Sequence, residues 1–188
     1  MNTKERILEE SMKLFSVYGF DAVPIRMIAD AVGVGNSALY KHYKSKQAIL
    51  EAIVERSKER FVNQYKGAMD SMDNVKDMKT MCLQMFHFQT EDEWMRMFRR
   101  LLVIEQFKNP KMAELYQKFF IEIPIQSQVE IFKKLIKEGV MKDKNAEVMA
   151  MELYSPFFLY HMAPKENITT LLEEHVDNFI EMYFLAKV

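Results

Sequence analysis

Apolar residues recur three and four apart along most of this chain, the spacing that gives a helix one buried stripe. Ile7, Leu8, Leu14, Phe15 and Tyr18, with Ser11 among them, predict a first helix over Lys4–Tyr18, capped by Thr3 and stopped by Gly19. Ile25, Ile28, Ala29 and Val32 predict a second over 25–32, which breaks at Gly33. Val34, Leu39 and Tyr43 resume the stripe and place a third, short helix over 36–43. Ser45 then caps a fourth, over 46–66, carrying Ile49, Leu50, Ile53, Val54, Phe61 and Tyr65.

The stretch Gly67–Asp77 is short, polar and acidic, and reads as a linker. Beyond it the pattern predicts a helix over Val75–Phe88. Thr90 with Glu93 reads as a capping box, opening a helix with Trp94, Met97, Phe98, Leu101, Leu102 and Glu105. Asn109–Pro110 starts a long helix that reaches Lys137, bent near Pro124 and stopped by Gly139. Asp143–Lys144–Asn145 opens another over 145–161, which Pro156 must kink or interrupt. Pro164–Asn167 makes the last turn and Ile168–Leu185 the last helix. No strand pair, repeat or low-complexity tract intervenes, so the expectation is an all-α chain of nine helices.

Two short helices joined by a glycine turn are the layout of a DNA-reading helix-turn-helix. On the second of them, Asn36, Ser37, Tyr40, Lys41 and His42 face outward, followed by Lys44 and Lys46. From Gly33 to Lys46 there are three lysines and no acid. Lysine ammonium groups and the tyrosine hydroxyl can bond phosphate oxygens, and Asn, Ser and Lys can bond base edges in the major groove. Tyr40, Lys44 and Lys46 are therefore candidate phosphate contacts, and Arg26, Asn36, Ser37 and Lys41 candidate base readers. Taken alone, the lysines would read as a solvated surface; the motif gives them a purpose.

Residues 3–50 resemble the DNA-binding domain of the TetR (tetracycline repressor) family of bacterial regulators. The resemblance rests on Ile7–Leu8, Leu14–Phe15, Gly19–Phe20, Ile28–Ala29, Ala31, Gly33–Val34, Leu39–Tyr40, His42–Tyr43, Ser45–Lys46 and Leu50, at the family's spacings without a gap. It implies an N-terminal three-helix DNA-binding domain, here 1–48, and a helical effector-binding and dimerisation domain, 49–188, with helix 46–66 connecting them. The family usually has Ser or Thr where this chain has Pro24 and Gly35, and often Thr at Ala38. Pro24 suits a first helical position but cannot donate, Gly35 is a weaker cap, and Ala38 can touch a thymine methyl.

Charge sharpens this picture. Residues 1–66 hold 11 Lys and Arg against 8 Asp and Glu, a net of +3, and the remainder 15 against 19, a net of −4. A basic head on an acidic body suits one DNA-facing end. The single cysteine, Cys82, can form no intramolecular disulfide and reads as a small buried hydrophobe in a reduced, cytoplasmic setting. Neither an N-terminal signal peptide nor an apolar run long enough to span a membrane is visible.

Catalytic chemistry finds little support. The four histidines show no metal-ligand spacing, and Cys82 and His87 fall on different helical faces. Gly33–Val34–Gly35 lacks a third glycine and lies between helices, unlike a dinucleotide loop. The expectation is a protein that is not an enzyme and carries neither cofactor nor metal.

The body is rich in Met and aromatic residues, which form a helical core or line a pocket for bulky apolar molecules. The family's bodies usually hold an effector cavity, so the resemblance implies a lining drawn from Met85, Phe88, Trp94, Phe98, Gln106, Tyr116, Phe120, Phe158 and His161, for a small, largely apolar effector. Gln84, His87 and Gln126 are further polar residues in the same stretch. The helix over 145–161 and the last helix carry apolar residues on more than one face and must be covered all round. One face suits its own subunit and the other a two-fold partner; the resemblance implies a four-helix bundle there. The expectation is a homodimeric, ligand-responsive regulator of double-stranded DNA, foremost a repressor released from a palindromic operator. Two other readings stand beside it: a constitutive DNA-binding factor without effector, and a helical carrier or enzyme whose head no longer reads DNA.

Overall fold

Asn2, not Thr3, caps the first helix. In the computed structural model, which describes residues 1–69, 75–162 and 166–185, α1 runs over Thr3–Tyr18 with a reciprocal capping box. The Glu5 amide donates to the Asn2 side chain and the Asn2 amide to the Glu5 carboxylate, both at 3.0 Å. The stripe buries Ile7, Leu8, Ser11, Met12, Phe15 and Ser16, while Tyr18, expected inside, is 55% exposed. Helix α2 (Ile25–Val32) ends at Gly33, whose φ of 77° is the left-handed conformation that lets its amide reach back to Ala29 and Asp30. Pro24 stands at the cap position, one residue before the first helical one.

Helix α3 spans Asn36–His42, and Tyr43 closes it with a 3.1 Å bond to the Leu39 carbonyl. Within α3 only Leu39 is fully buried, so that one side chain anchors the helix. Ser45 accepts the Ala48 amide at 3.0 Å and opens α4 (Lys46–Met69). The expected linker is shorter than Gly67–Asp77, because α4 continues to Met69 and α5 (Val75–Glu91) begins at Val75; its centre lies outside the described residues. Because α5 extends through Thr90, that residue cannot cap. Asp92 does so instead, accepting the Met95 amide at 2.9 Å at the start of α6 (Glu93–Glu105).

The long helix from Pro110 is α7 (Pro110–Gln117), a π turn (Lys118–Glu122) and α8 (Ile123–Lys137), without a break; counted as one, they leave nine helices among the described residues. The expected irregularity at Pro124 takes the form of this π turn. Proline lacks an amide and crowds the carbonyl four residues earlier, here that of Phe120. The Tyr154 hydroxyl donates to that carbonyl at 2.6 Å, satisfying it from another helix. Helix α9 (Ala146–Met162) is opened by the Asn145 side chain and runs through Pro156 without interruption. Helix α10 (Ile168–Tyr183) stops two residues early, since Leu185 bonds the Val140 carbonyl and Phe184 forms an isolated antiparallel bridge with Met141.

The described residues fall into two compact units that do not follow a cut at residue 48. One is Met1–Lys66 with Gln89–Tyr116; the other is Gly67–Phe88 with Gln117–Val188. In the first, α1 packs on α2, α3 and α6 around Ile7, Phe15, Ile28 and Leu39. In the second, α8, α9 and α10 enclose Phe132, Met149, Leu153, Leu172 and Phe179, with Cys82 among them. Burial pushes the Cys82 thiol up to about 12. The native protein is therefore expected to resist iodoacetamide at neutral pH and to react fully once unfolded in guanidinium; rapid native alkylation, read by mass spectrometry, would contradict this packing.

Candidate nucleic-acid interface

Burying Leu39 and Tyr43 leaves the opposite face of α3 in solvent. Asn36, Ser37, Tyr40, Lys41 and His42 are all exposed there, and Lys44 is exposed just beyond. The start of α3 has Gly35 as its cap residue, with no side-chain hydrogen bond to the first amides. Arg26 projects from α2, 3.8 Å from Asp30 one turn on, and both side chains are largely exposed (84% and 72%). Such a pair contributes little in water and costs little to open.

Lys46 differs from the other candidates. Its ammonium donates to the Phe20 carbonyl at 2.8 Å and the Asp21 carbonyl at 3.3 Å, and stands 4.4 Å from the centre of the Phe20 ring. Expected on a phosphate, it braces the start of α4 against the α1–α2 loop. Carbonyls 25 and 26 residues away leave no trace in a local pattern.

Other contributors were equally invisible to periodicity. Arg6 donates to the Val32 carbonyl at 2.5 Å, capping α2 from α1 beside the glycine turn. Lys4 stands 5.7 Å from the centre of the Tyr43 ring. Glu105, at the end of α6, accepts the Phe20 amide at 2.9 Å while only 1% exposed.

The candidate effector residues do not gather in one unit. Trp94, Phe98, Gln106 and Tyr116 belong to the first and Met85, Phe88, Phe120, Phe158 and His161 to the second. Trp94, Phe98, Tyr116, Phe120 and His161 are buried, while Met85, Phe88, Gln106 and Phe158 are half-buried. Trp94 spends its indole N–H on the Ser57 hydroxyl, 2.8 Å away, and the Arg56 guanidinium lies 4.4 Å from its ring centre. The His161 ring stacks parallel to Phe86 at 6.1 Å. Of the remaining polar residues, Gln84 and Gln126 are exposed. No cluster of metal-ligating side chains occurs among the described residues.

A glycine-turned helix pair with a basic outer face, carried on a helical body, defines a helix-turn-helix protein of the DNA-reading class. Residues 7–53 match the model of bacterial regulatory proteins of the tetR family. The chain is 23% identical over 137 residues to the transcriptional repressor KstR2 of Mycolicibacterium smegmatis, covering 73% of this chain and 64% of that one, less than two thirds of its length. Among solved structures it resembles SmeT of Stenotrophomonas maltophilia bound to triclosan, with a TM-score of 0.75, 19% identity and coverage of 99% and 93%. It also resembles AibR in complex with isovaleryl coenzyme A and operator DNA, with a TM-score of 0.70, 17% identity and coverage of 97% and 98%. At these identities the structural likenesses establish a common fold. The chain thus matches the tetR family model over residues 7–53 and shares a fold with these structures over nearly its whole length.

Proposed function

We propose that this protein is a homodimeric, sequence-specific transcriptional regulator, foremost a repressor, released from a palindromic operator by a small, largely apolar effector. The exposed outer face of α3 carries the reading: five side chains able to bond bases or phosphates stand in solvent on a helix held by a single buried leucine, with Lys44 exposed just beyond it. The functional boundary lies at residue 48, with 1–48 reading DNA and 49–188 binding effector and partner.

Asn36, Ser37, Lys41 and Arg26 are the base readers, and Tyr40, Lys44 and His42 lie at the backbone. Lys46 adds positive charge there while its hydrogen bonds brace the loop. Repression by KstR2, triclosan on SmeT, and isovaleryl coenzyme A and operator DNA on AibR support the same division of labour here. Of the candidate effector contacts, Met85, Phe88, Phe120, Phe158 and His161 fall within one unit and would line the effector site. It releases DNA only by binding the non-operator state more tightly, since equal affinity for both shifts nothing. The protein works beside the chromosome in the cytoplasm; among the described residues no helix is long and apolar enough to cross a membrane.

Dimerisation uses α9 and α10. On α9, Val148, Met151, Leu159 and Met162 lie on one side at helical spacing and are 49–60% exposed. On α10, Leu171 and Met182 are 41% and 58% exposed. A second copy covers these stripes, placing two heads on successive major grooves about 34–36 Å apart.

Base and backbone roles separate in one experiment. Asn36→Ala is expected to lose about 1–3 kcal/mol of discrimination at one base pair. Lys44→Ala should weaken binding to all duplexes alike and reduce the salt slope by about one. Fluorescence anisotropy on cognate and single-substituted duplexes across a salt series reads both. Unchanged discrimination in the first variant, or an unchanged slope in the second, removes that residue from its role.

A further inference from the structure

Glu105 is a carboxylate buried to 1% exposure at the C-terminal end of α6, where a helix terminus gives a negative charge no help. Its hydrogen-bond donor lies in the loop that follows another helix. The Phe20 amide, just past the end of α1, donates to Oε1 at 2.9 Å. Gly19 makes the approach possible: its φ of 83° and ψ of 163° suit glycine alone, and a Cβ there would stand 2.6 Å from the same oxygen and 3.3 Å from Ile104.

The other side of the Phe20 residue is held as firmly. Its carbonyl accepts from the Lys46 ammonium at 2.8 Å, and its ring packs on Phe15 at 5.2 Å and under that same ammonium. One residue is thus gripped by α6 through its amide, by α4 through its carbonyl and by α1 through its ring. Four residues separate it from Ile25, where α2 begins.

We infer that Glu105 is a positioning residue for DNA binding: its buried carboxylate holds the α1–α2 loop, and through it the helix pair, in the posture that reads DNA. This rests on the head being a DNA reader, and it assigns a role to a residue that touches no DNA. The inference has a sign. Removing a negative charge from a DNA-binding unit ordinarily tightens binding, because less repulsion opposes the phosphates. Loss of the brace does the opposite.

The test uses full-length protein, below its melting temperature, on the duplex that wild type selects from a randomised pool. Glu105→Ala is expected to weaken specific binding about tenfold or more, on the scale of one buried charge-assisted hydrogen bond, with the salt slope unchanged. Glu105→Gln keeps an acceptor oxygen and should recover most of the affinity; where the alanine variant does not fold, Gly19→Ala carries the test. Hydrogen exchange should show faster exchange of the Phe20 amide in Glu105→Ala, with that of Leu39 unchanged. Gly19→Ala should weaken binding without altering charge, and the double variant should fall short of the sum, as expected of groups in contact. Equal or tighter binding by folded Glu105→Ala or folded Gly19→Ala overturns the positioning role while the regulator reading stands. Should wild type select no duplex, the regulator reading falls and the positioning role with it, whatever the Phe20 amide does.

Discussion

Replacing Leu39 with alanine is expected to abolish specific DNA binding. Leu39 is fully buried and is the only residue of α3 so placed, so this helix of seven residues has one anchor. Truncating a buried leucine costs about 2–5 kcal/mol, from lost transfer energy and the cavity left behind. An isolated helix this short has almost no stability of its own. The loss should therefore appear first as local melting of α3 and its glycine turn, before global unfolding. Amide exchange would show the Tyr43 amide, normally bonded to Leu39, losing protection while α8–α10 keep theirs. Retained specific binding in Leu39→Ala would mean that α3 is held by something other than its packing.

Placing a charge on the exposed stripe of α9 should have the second large effect. Leu159→Glu leaves the protomer's own packing untouched, since Leu159 is 60% exposed. In a dimer closed by α9 and α10, the carboxylate would be buried in an apolar interface without a partner, and by symmetry twice. Analytical ultracentrifugation is expected to show a monomer of wild-type helicity. Its affinity for a palindrome should fall by a factor on the order of a thousand, toward that of a single half-site. An unchanged dimer would place the interface elsewhere and leave Val148, Met151 and Met162 without the role given to them.

Local chemistry accounts for what the sequence made legible. The boundaries of α2 emerge to the residue because a sharp apolar stripe meets Gly33, whose left-handed φ is a local property. Ser45, Asn109 and Asn145 act as caps because capping reaches only two or three residues. The Thr90–Glu93 signature failed where tertiary packing extended α5 through it, and Asp92, next to Glu93, took the cap.

Long-range contacts escaped altogether. Tyr154 reaching Phe120, Arg6 reaching Val32 and Glu105 reaching Phe20 join residues 34, 26 and 85 apart, separations that no periodicity encodes. Lys46 belongs with them: its charge pointed to phosphate, and only the fold shows two carbonyls and a ring around it. Outward positions on α3 could be read because they are the complement of a short buried stripe. The body's aromatic residues could not be sorted that way, since α9 is apolar on all sides and has no complement.

The measurement that bears most directly on sequence-specific reading by a dimer is selection of duplexes by the purified protein from a randomised pool at physiological salt. The expected result is enrichment of an inverted repeat with half-site centres about one helical turn apart, bound by two protomers and resistant to excess random duplex. A pool that stays random, with all binding lost to competitor, would contradict it.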